Sequence, residues 1–342
     1  MRTLSLGSMM VRRLADAAAL ESIATRMADD LLTLGRGVPQ EDWLIVGGSI
    51  ARGEPTFIRR DGKRLLISDV DLLYIHDGEH PAMPPQQLLR VAERVFPSVD
   101  LITLPVADYR VIQTSLGYDY KNLGIAITEH GMPEHEPVQS DARDAYEILL
   151  YYLQAYFWDR LHDQWLAGAD SVGFHLAISR LCLKVLRASA MLDGAYAHHD
   201  FEAMAPHVAA RMRAELRWRT DPGQPPMNPG RFWSYVADAF TRFDEQHGHQ
   251  RPDAVSFSPY ATTSSGQIVA RHHRAVHDLA RAMSTVWLAD PTPQALDTVK
   301  HRAWQGFTGW TGTRAQPTPE DYFARNKREI NDHLLAMKVQ VA

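Results

Sequence analysis

The stretch Gly47-Gly48-Ser49-Ile50-Ala51-Arg52-Gly53-Glu54, followed after a spacer by Ser68-Asp69-Val70-Asp71-Leu72-Leu73, decides how this chain is read. Residues 43–46 form a short apolar run that predicts a buried strand, and it ends directly at Gly47-Gly48. A second strand is expected over 71–75. Residues two apart in a strand share a face, so Asp69 and Asp71 project together from that strand's start. Neighbouring carboxylates repel unless something neutralises them. Mg²⁺ does this with hard oxygen ligands, typically one or two carboxylates plus substrate phosphates. Asp100 opens the next expected strand, 99–104, and is the candidate third carboxylate. Three such groups can hold two Mg²⁺ ions, with Mn²⁺ as the alternative ion. The glycine turn supplies the other half of the pattern. It has little side-chain bulk, its backbone N–H groups can approach phosphate oxygens, and the Ser49 hydroxyl adds a donor. No Gly-Lys-Ser/Thr follows, so this is not a Walker loop.

Around these residues the periodicity is mixed. Leu14, Ala18, Ile23, Met27, Leu31 and Leu32 predict one amphipathic helix over 9–35, stopped by Gly35 and Gly37. Segments 57–60 and 63–67 flank Asp61-Gly62, a hairpin signature because Asp-Gly accepts the positive φ of a tight turn. Its tip is basic: Arg59, Arg60, Lys63 and Arg64 read as a solvated turn. A short helix is expected over 88–95 and a last strand over 123–128. Past residue 140 the pattern turns helical, with helices expected over 141–165, 172–192, 201–218, 231–246, 267–288 and 319–337. Prolines at 222, 225, 226 and 229 mark 221–230 as a loop. The expected fold class is α+β: a mixed-sheet domain over residues 1–140 followed by an all-α domain over 141–342.

The paired motifs resemble the DNA polymerase β-like nucleotidyltransferase superfamily, whose signature is a Gly-Ser turn, a spacer, Asp-x-Asp, and a third Asp on a later strand. Gly48-Ser49-x-Ala51-Arg52-Gly53 with Ser68-Asp69-x-Asp71-Leu72 looks most like its minimal nucleotidyltransferase branch. The resemblance spans residues 43–104. Ser49 and Asp69 stand twenty positions apart, longer than usual for that branch, and the hairpin accounts for the excess. The resemblance implies a nucleotidyltransferase fold and a Mg²⁺-dependent transfer of a nucleoside monophosphate from an NTP to an acceptor hydroxyl, with release of pyrophosphate. It places Asp69, Asp71 and Asp100 as metal ligands, with Asp100 also as base. It gives the triphosphate to Gly47, Gly48 and Ser49, with Arg52 beside them. In the poly(A) polymerase and cyclic-oligonucleotide synthase relatives a later helix carries a Lys that contacts the phosphates. Leu181-Cys182-Leu183-Lys184-Val185-Leu186-Arg187 looks like that helix. Arg180, Lys184 and Arg187 follow i, i+4, i+7 spacing and share one face, which makes Arg180 and Lys184 candidate phosphate ligands.

Charge bounds the partners. Across 342 residues the net charge is −5, which excludes a strongly basic nucleic-acid-binding chain. Residues 1–200 carry 19 Lys and Arg against 27 Asp and Glu, while residues 201–342 carry 17 against 14. A small-molecule hydroxyl acceptor fits this balance best, with nucleic acid, a second nucleotide or a protein as alternatives. A different class is a degenerate nucleotidyltransferase fold that acts as a regulatory or antitoxin-type binding partner. One cysteine, Cys182, excludes an intrachain disulfide and a Cys-rich zinc site. Residues 1–13 lack a signal peptide's unbroken apolar stretch, and no apolar run reaches a membrane span, so a cytoplasmic setting without membrane contact is expected. His273 and His277 lie four apart, and His130 and His135 flank a loop; all are read as structural or surface histidines. Trp158, Trp165, Trp218, Trp233 and Trp287 are read as core, and Tyr118 or Tyr120 as a candidate base-stacking ring.

Overall fold

Apolar residues alternate between two faces along the central strands, and this alternation builds the first part of the molecule. In the computed structural model, Leu44 and Val46 of strand β1 (Asp42–Val46) and Val70, Leu72 and Tyr74 of a second strand (Val70–His76) enter one core. Ile45, Leu73 and Ile75 enter the core on the opposite face. The structure describes most of residues 5–136, 161–193, 204–218 and 228–247, with isolated positions within 138–153 and 281–298. The expected helices over 267–288 and 319–337 fall largely or wholly outside the described residues, as do His273, His277, Trp158 and Trp287.

Helix α1 (Leu6–Val11) and helix α2 (Ala17–Arg36) precede β1. After β1 comes the one-turn helix α3 (Gly48–Ala51). Strands β2 (Phe57–Arg60) and β3 (Lys63–Leu66) form a separate two-stranded sheet, and β4 is Val70–His76. Helix α4 (Pro85–Ala92), β5 (Val99–Pro105), α5 (Val106–Val111), α6 (Ser115–Asn122) and β6 (Ile125–Ala126) follow. The main sheet runs β5-β4-β1-β6. Strand β4 is antiparallel to β1 and parallel to β5, and β1 is antiparallel to β6, so the sheet is mixed and the fold is α+β. Helix α2 lays Leu20, Ala24, Met27, Ala28, Leu31 and Leu34 inward at helical spacing. Each fully buried aliphatic side chain of this kind contributes roughly 1.5–3 kcal/mol.

The single helix expected over 9–35 is broken between Val11 and Ala17. The Arg13 N–H donates to the Gly53 carbonyl (3.0 Å) instead of to the carbonyl four residues back, so a tertiary bond interrupts the helical ladder. The strand expected over 123–128 shortens to Ile125–Ala126. Helices α5 and α6 lie where no element was expected.

The elements described in the later segment include the helices α7 (His162–Leu166), α8 (Val172–Leu192), α9 (Pro206–Trp218) and α10 (Arg231–His247). Its core, with Phe174, Ile178, Leu181, Val185, Met212, Phe232, Trp233 and Phe240, is a cluster separate from those of the sheet. Trp165, Trp218 and Trp233 are buried, as expected of core tryptophans. Helix α8 has the bounds its periodicity predicts, and the Ser171 hydroxyl caps it by accepting from the Phe174 N–H at 3.1 Å.

The buried Tyr74 hydroxyl donates to the Asp42 carboxylate and accepts from the Met83 N–H (3.0 Å), while Asp42 also accepts from the Ala82 N–H (3.0 Å). This ties β1, β4 and the segment leading to α4. Tyr74→Phe leaves the Met83 N–H without its acceptor, and a loss of about 1–3 kcal/mol in urea-monitored unfolding is the expected result.

Candidate active site

Asp71 is the second residue of β4, on the face of Leu73 and Ile75. Its in-register partner across the parallel pair is Asp100 on β5, so the two carboxylates lie side by side at the starts of adjacent strands. The Val70 N–H donates to the Ser98 carbonyl (3.0 Å) and fixes that register at its first residue. Asp71 is half-buried and Asp100 is exposed. Burial raises the Asp71 carboxyl above its ordinary value. The Asp100 charge adds to this, against the pull of Arg52, Lys184 and Arg180 in the other direction.

Asp69 lies one residue before β4 and faces the helical part. Arg180 of α8 donates to its Oδ2 at 2.8 Å. Burial alone would raise the Asp69 carboxyl. Hydrogen bonds from Arg180 and Ser98, with the Arg180 charge, outweigh burial and hold it below its ordinary value. The two members of the Asp-x-Asp motif thus sit in opposite electrostatic environments.

The glycine turn is built against Asp71. The Gly47 N–H donates to the Asp71 carbonyl at 2.8 Å. Gly48 has φ +60°, and a Cβ placed there would stand 1.6 Å from Asp71 Oδ2. Only glycine lets the backbone lie this close to the carboxylate. A Cβ on Gly47 would stand 2.3 Å from the ring of Tyr120. Tyr120 is therefore a wall behind the turn. It is buried, and burial together with Asp71, Asp100 and Asp119 pushes its phenol well above the ordinary range. This corrects the expectation that Tyr120 stacks on a base. Ser49 is buried on α3, and its carbonyl accepts from the Glu54 N–H at 2.9 Å. The amides of Gly48 and Ser49 open a helical turn and so have no intrahelical acceptor.

Arg52 differs from expectation. Its Nε donates to Glu54 Oε1 at 2.8 Å and its Nη1 to Asp119 Oδ2 at 2.6 Å, and the residue is buried. It acts on Asp71 as a nearby charge, with its guanidinium held by two carboxylates. Lys184, one turn after Arg180, is half-buried with Nζ 4.8 Å from the centroid of the Tyr152 ring. Its ammonium is lowered to about 8 by burial and by Arg52 and Arg180, against the opposing pull of Asp119 and Asp71. Arg187, the third basic residue of that face, is buried and pairs with Glu54.

The site thus gathers Gly47, Gly48, Ser49, Asp69, Asp71, Asp100, Arg180 and Lys184 from four elements and the segments beside them. Ser98 and Asp119 were not singled out from sequence. Ser98 carries no signal beyond standing before a strand, and Asp119 lies in a helix the periodicity did not show. Among the described residues, no three His, Cys, Asp or Glu groups converge into a complete metal cage. His130 packs edge-on against Trp43, and His135 against Tyr109. The donors around Asp71 are hard oxygens, which fit Mg²⁺ or Mn²⁺ bound through few carboxylates and completed by phosphate oxygens. Compared with family models, curated proteins and solved structures, the chain has no match. No described helix is long and apolar enough to cross a membrane.

Gly48→Ala forces a Cβ into the Asp71 carboxylate at a positive φ, and a stability loss of at least about 1–3 kcal/mol by equilibrium unfolding is expected. Lys184 gives a pH signature. Its folded value of about 8 lies below the ordinary 10.5, so the unfolded chain binds more protons between these values. Stability should therefore rise as pH increases from about 8 to 10.5, and Lys184→Met should flatten that rise in denaturant titrations across this range.

Proposed function

We propose that this chain is a nucleotidyltransferase that moves a nucleoside monophosphate from an NTP to a hydroxyl acceptor and releases pyrophosphate. The observation that carries the reading is the in-register pairing of Asp71 with Asp100, with Gly48 packed against the Asp71 carboxylate and Asp69 two residues before it. An acidic pair beside a close-packed glycine turn, faced by two cations from a separate helix, is an arrangement for a metal–triphosphate rather than for an apolar ligand.

Asp69, Asp71 and Asp100 are the residues that would hold Mg²⁺ or Mn²⁺, which would supply charge neutralisation at the phosphates. The chain's own groups do the rest. Lys184 and Arg180 neutralise the triphosphate by charge-assisted hydrogen bonds, and the Gly48 and Ser49 amides give it uncharged donors. Arg180 holds Asp69 in the ligand-free chain, and its planar fork is suited to move to a phosphate. The acceptor oxygen forms a bond to the α-phosphorus as the α–β bridging P–O bond breaks, and pyrophosphate leaves with that electron pair. Asp100, the exposed carboxylate, takes the acceptor's proton. Positioning and electrostatics supply most of the acceleration in such transfers. The negative net charge favours a small-molecule acceptor over a nucleic acid.

The test is pyrophosphate release from each NTP with Mg²⁺ or Mn²⁺, wild type beside Asp69→Asn/Asp71→Asn, with candidate hydroxyl acceptors and intact-mass analysis of all products. Carboxylate-dependent release, at least about a hundredfold lower in the double variant, is expected. Metal-dependent NTP binding in neither protein would remove the catalytic reading.

A further inference from the structure

Glu54 is fully buried, and three guanidinium groups converge on it. Arg52 donates to its Oε1 at 2.8 Å, Arg13 Nη1 stands 3.7 Å from its Oε2, and Arg187 reaches it from α8. Asp119 of α6 takes the other side of Arg52 at 2.6 Å. Arg13, Arg52 and Arg187 are themselves at most a few per cent exposed. Glu54 thus joins the stretch after α1, the end of the glycine turn and α8, and Asp119 ties α6 to them through Arg52.

Stability alone does not account for this cluster. Among the described residues its three buried guanidinium groups share Glu54 and Asp119, and desolvating such a set costs more than apolar packing of the same volume. Its placement gives the missing reason. Arg180, Lys184 and Arg187 lie on one face of α8 and descend from solvent to core: Arg180 half-exposed, Lys184 half-buried, Arg187 buried. Arg187 is the anchored end of this row. The Glu54 N–H, in turn, donates to the Ser49 carbonyl. A contact at Arg187 is therefore two bonds from the turn and one helical turn from Lys184.

We propose that Arg187, acting through Glu54, is a positioning residue that sets the register of α8 over the glycine turn and so places Lys184 and Arg180 for a triphosphate. It does not touch substrate. Its effect reaches the ligand only through Lys184 and Arg180, and it rests on the nucleotidyltransferase reading above.

The test uses the full chain with inorganic tripolyphosphate and Mg²⁺, a probe that needs no knowledge of the base. Affinity is measured by calorimetry, and folding by thermal unfolding, for wild type, Arg187→Met, Lys184→Met and the double variant. Arg187→Met has the length to fill the space and leaves Glu54 with Arg13 and Arg52. It should stay folded and bind tripolyphosphate about tenfold more weakly or worse, since small misplacements of ligand groups cost this much. Lys184→Met should lose far less in the Arg187→Met background than in wild type, because a displaced lysine has little left to lose. A merely structural role would leave the two losses additive. Should Arg187→Met fail to fold, Arg187→Lys carries the test: it keeps the charge but loses the fork, and weakened binding with intact folding is expected. A folded variant that binds as wild type does, or additive losses in the cycle, overturns the positioning role. A wild-type chain that does not bind Mg²⁺–tripolyphosphate overturns the nucleotidyltransferase reading as well, and so separates the two failures.

Discussion

A buried carboxylate on which three arginines converge is the constraint on which this structure turns. Glu54 lies three residues beyond the end of α3 and has no exposed surface. Each partner is costly to bury alone, and each is tolerable only in the presence of the others. The chain therefore cannot place Arg13, Arg52 or Arg187 independently. The break between α1 and α2 follows from this, because Arg13 turns out of the helix to meet Gly53 and Glu54. So does the approach of α8 to the sheet, which brings Arg180 to Asp69.

The parts of the fold that sequence revealed were those set by local periodicity. Short apolar runs gave strands β1 and β4, and the helical repeat gave the bounds of α8. The candidate carboxylates were legible because an acidic residue at the start of an apolar strand is conspicuous. Their side-by-side placement was not, since it depends on a parallel register between β4 and β5 that nothing local encodes. The pairing preferences of basic residues were hidden for the same reason. Arg180, Lys184 and Arg187 look equivalent on a helical wheel, yet one meets a carboxylate at the surface, one is half-buried over a tyrosine, and one is sealed into an ion cluster. Depth, which separates them, is a property of the assembled fold. Helices α5 and α6 escaped notice because they are short, and tertiary contacts hold short helices more than propensity does.

Within the site, charge is distributed rather than concentrated. Asp71 is shifted up and Asp69 down, although they stand two residues apart, because one faces the desolvated turn and the other a cation on α8. The basic groups are divided likewise. Arg52 is fixed between two acids, whereas Lys184 carries its charge in a half-buried position that weakens its hold on a proton. Burial thus holds both Asp71 and Lys184 toward their neutral forms, while Arg180 holds Asp69 toward its charged one.

The parallel pairing of β4 with β5 has a consequence for how this chain can change over evolutionary time. Parallel neighbours must be joined by a crossover, here the segment that contains α4, whose Leu88 and Ala92 pack on the sheet face opposite Asp71. The exposed stretch Gly78-Glu79-His80 opens that crossover. The gap between Asp71 and Asp100 is fixed by hydrogen bonds between strands, so it is indifferent to the length of chain that links them. New sequence can accumulate in the link while the two carboxylates stay in place.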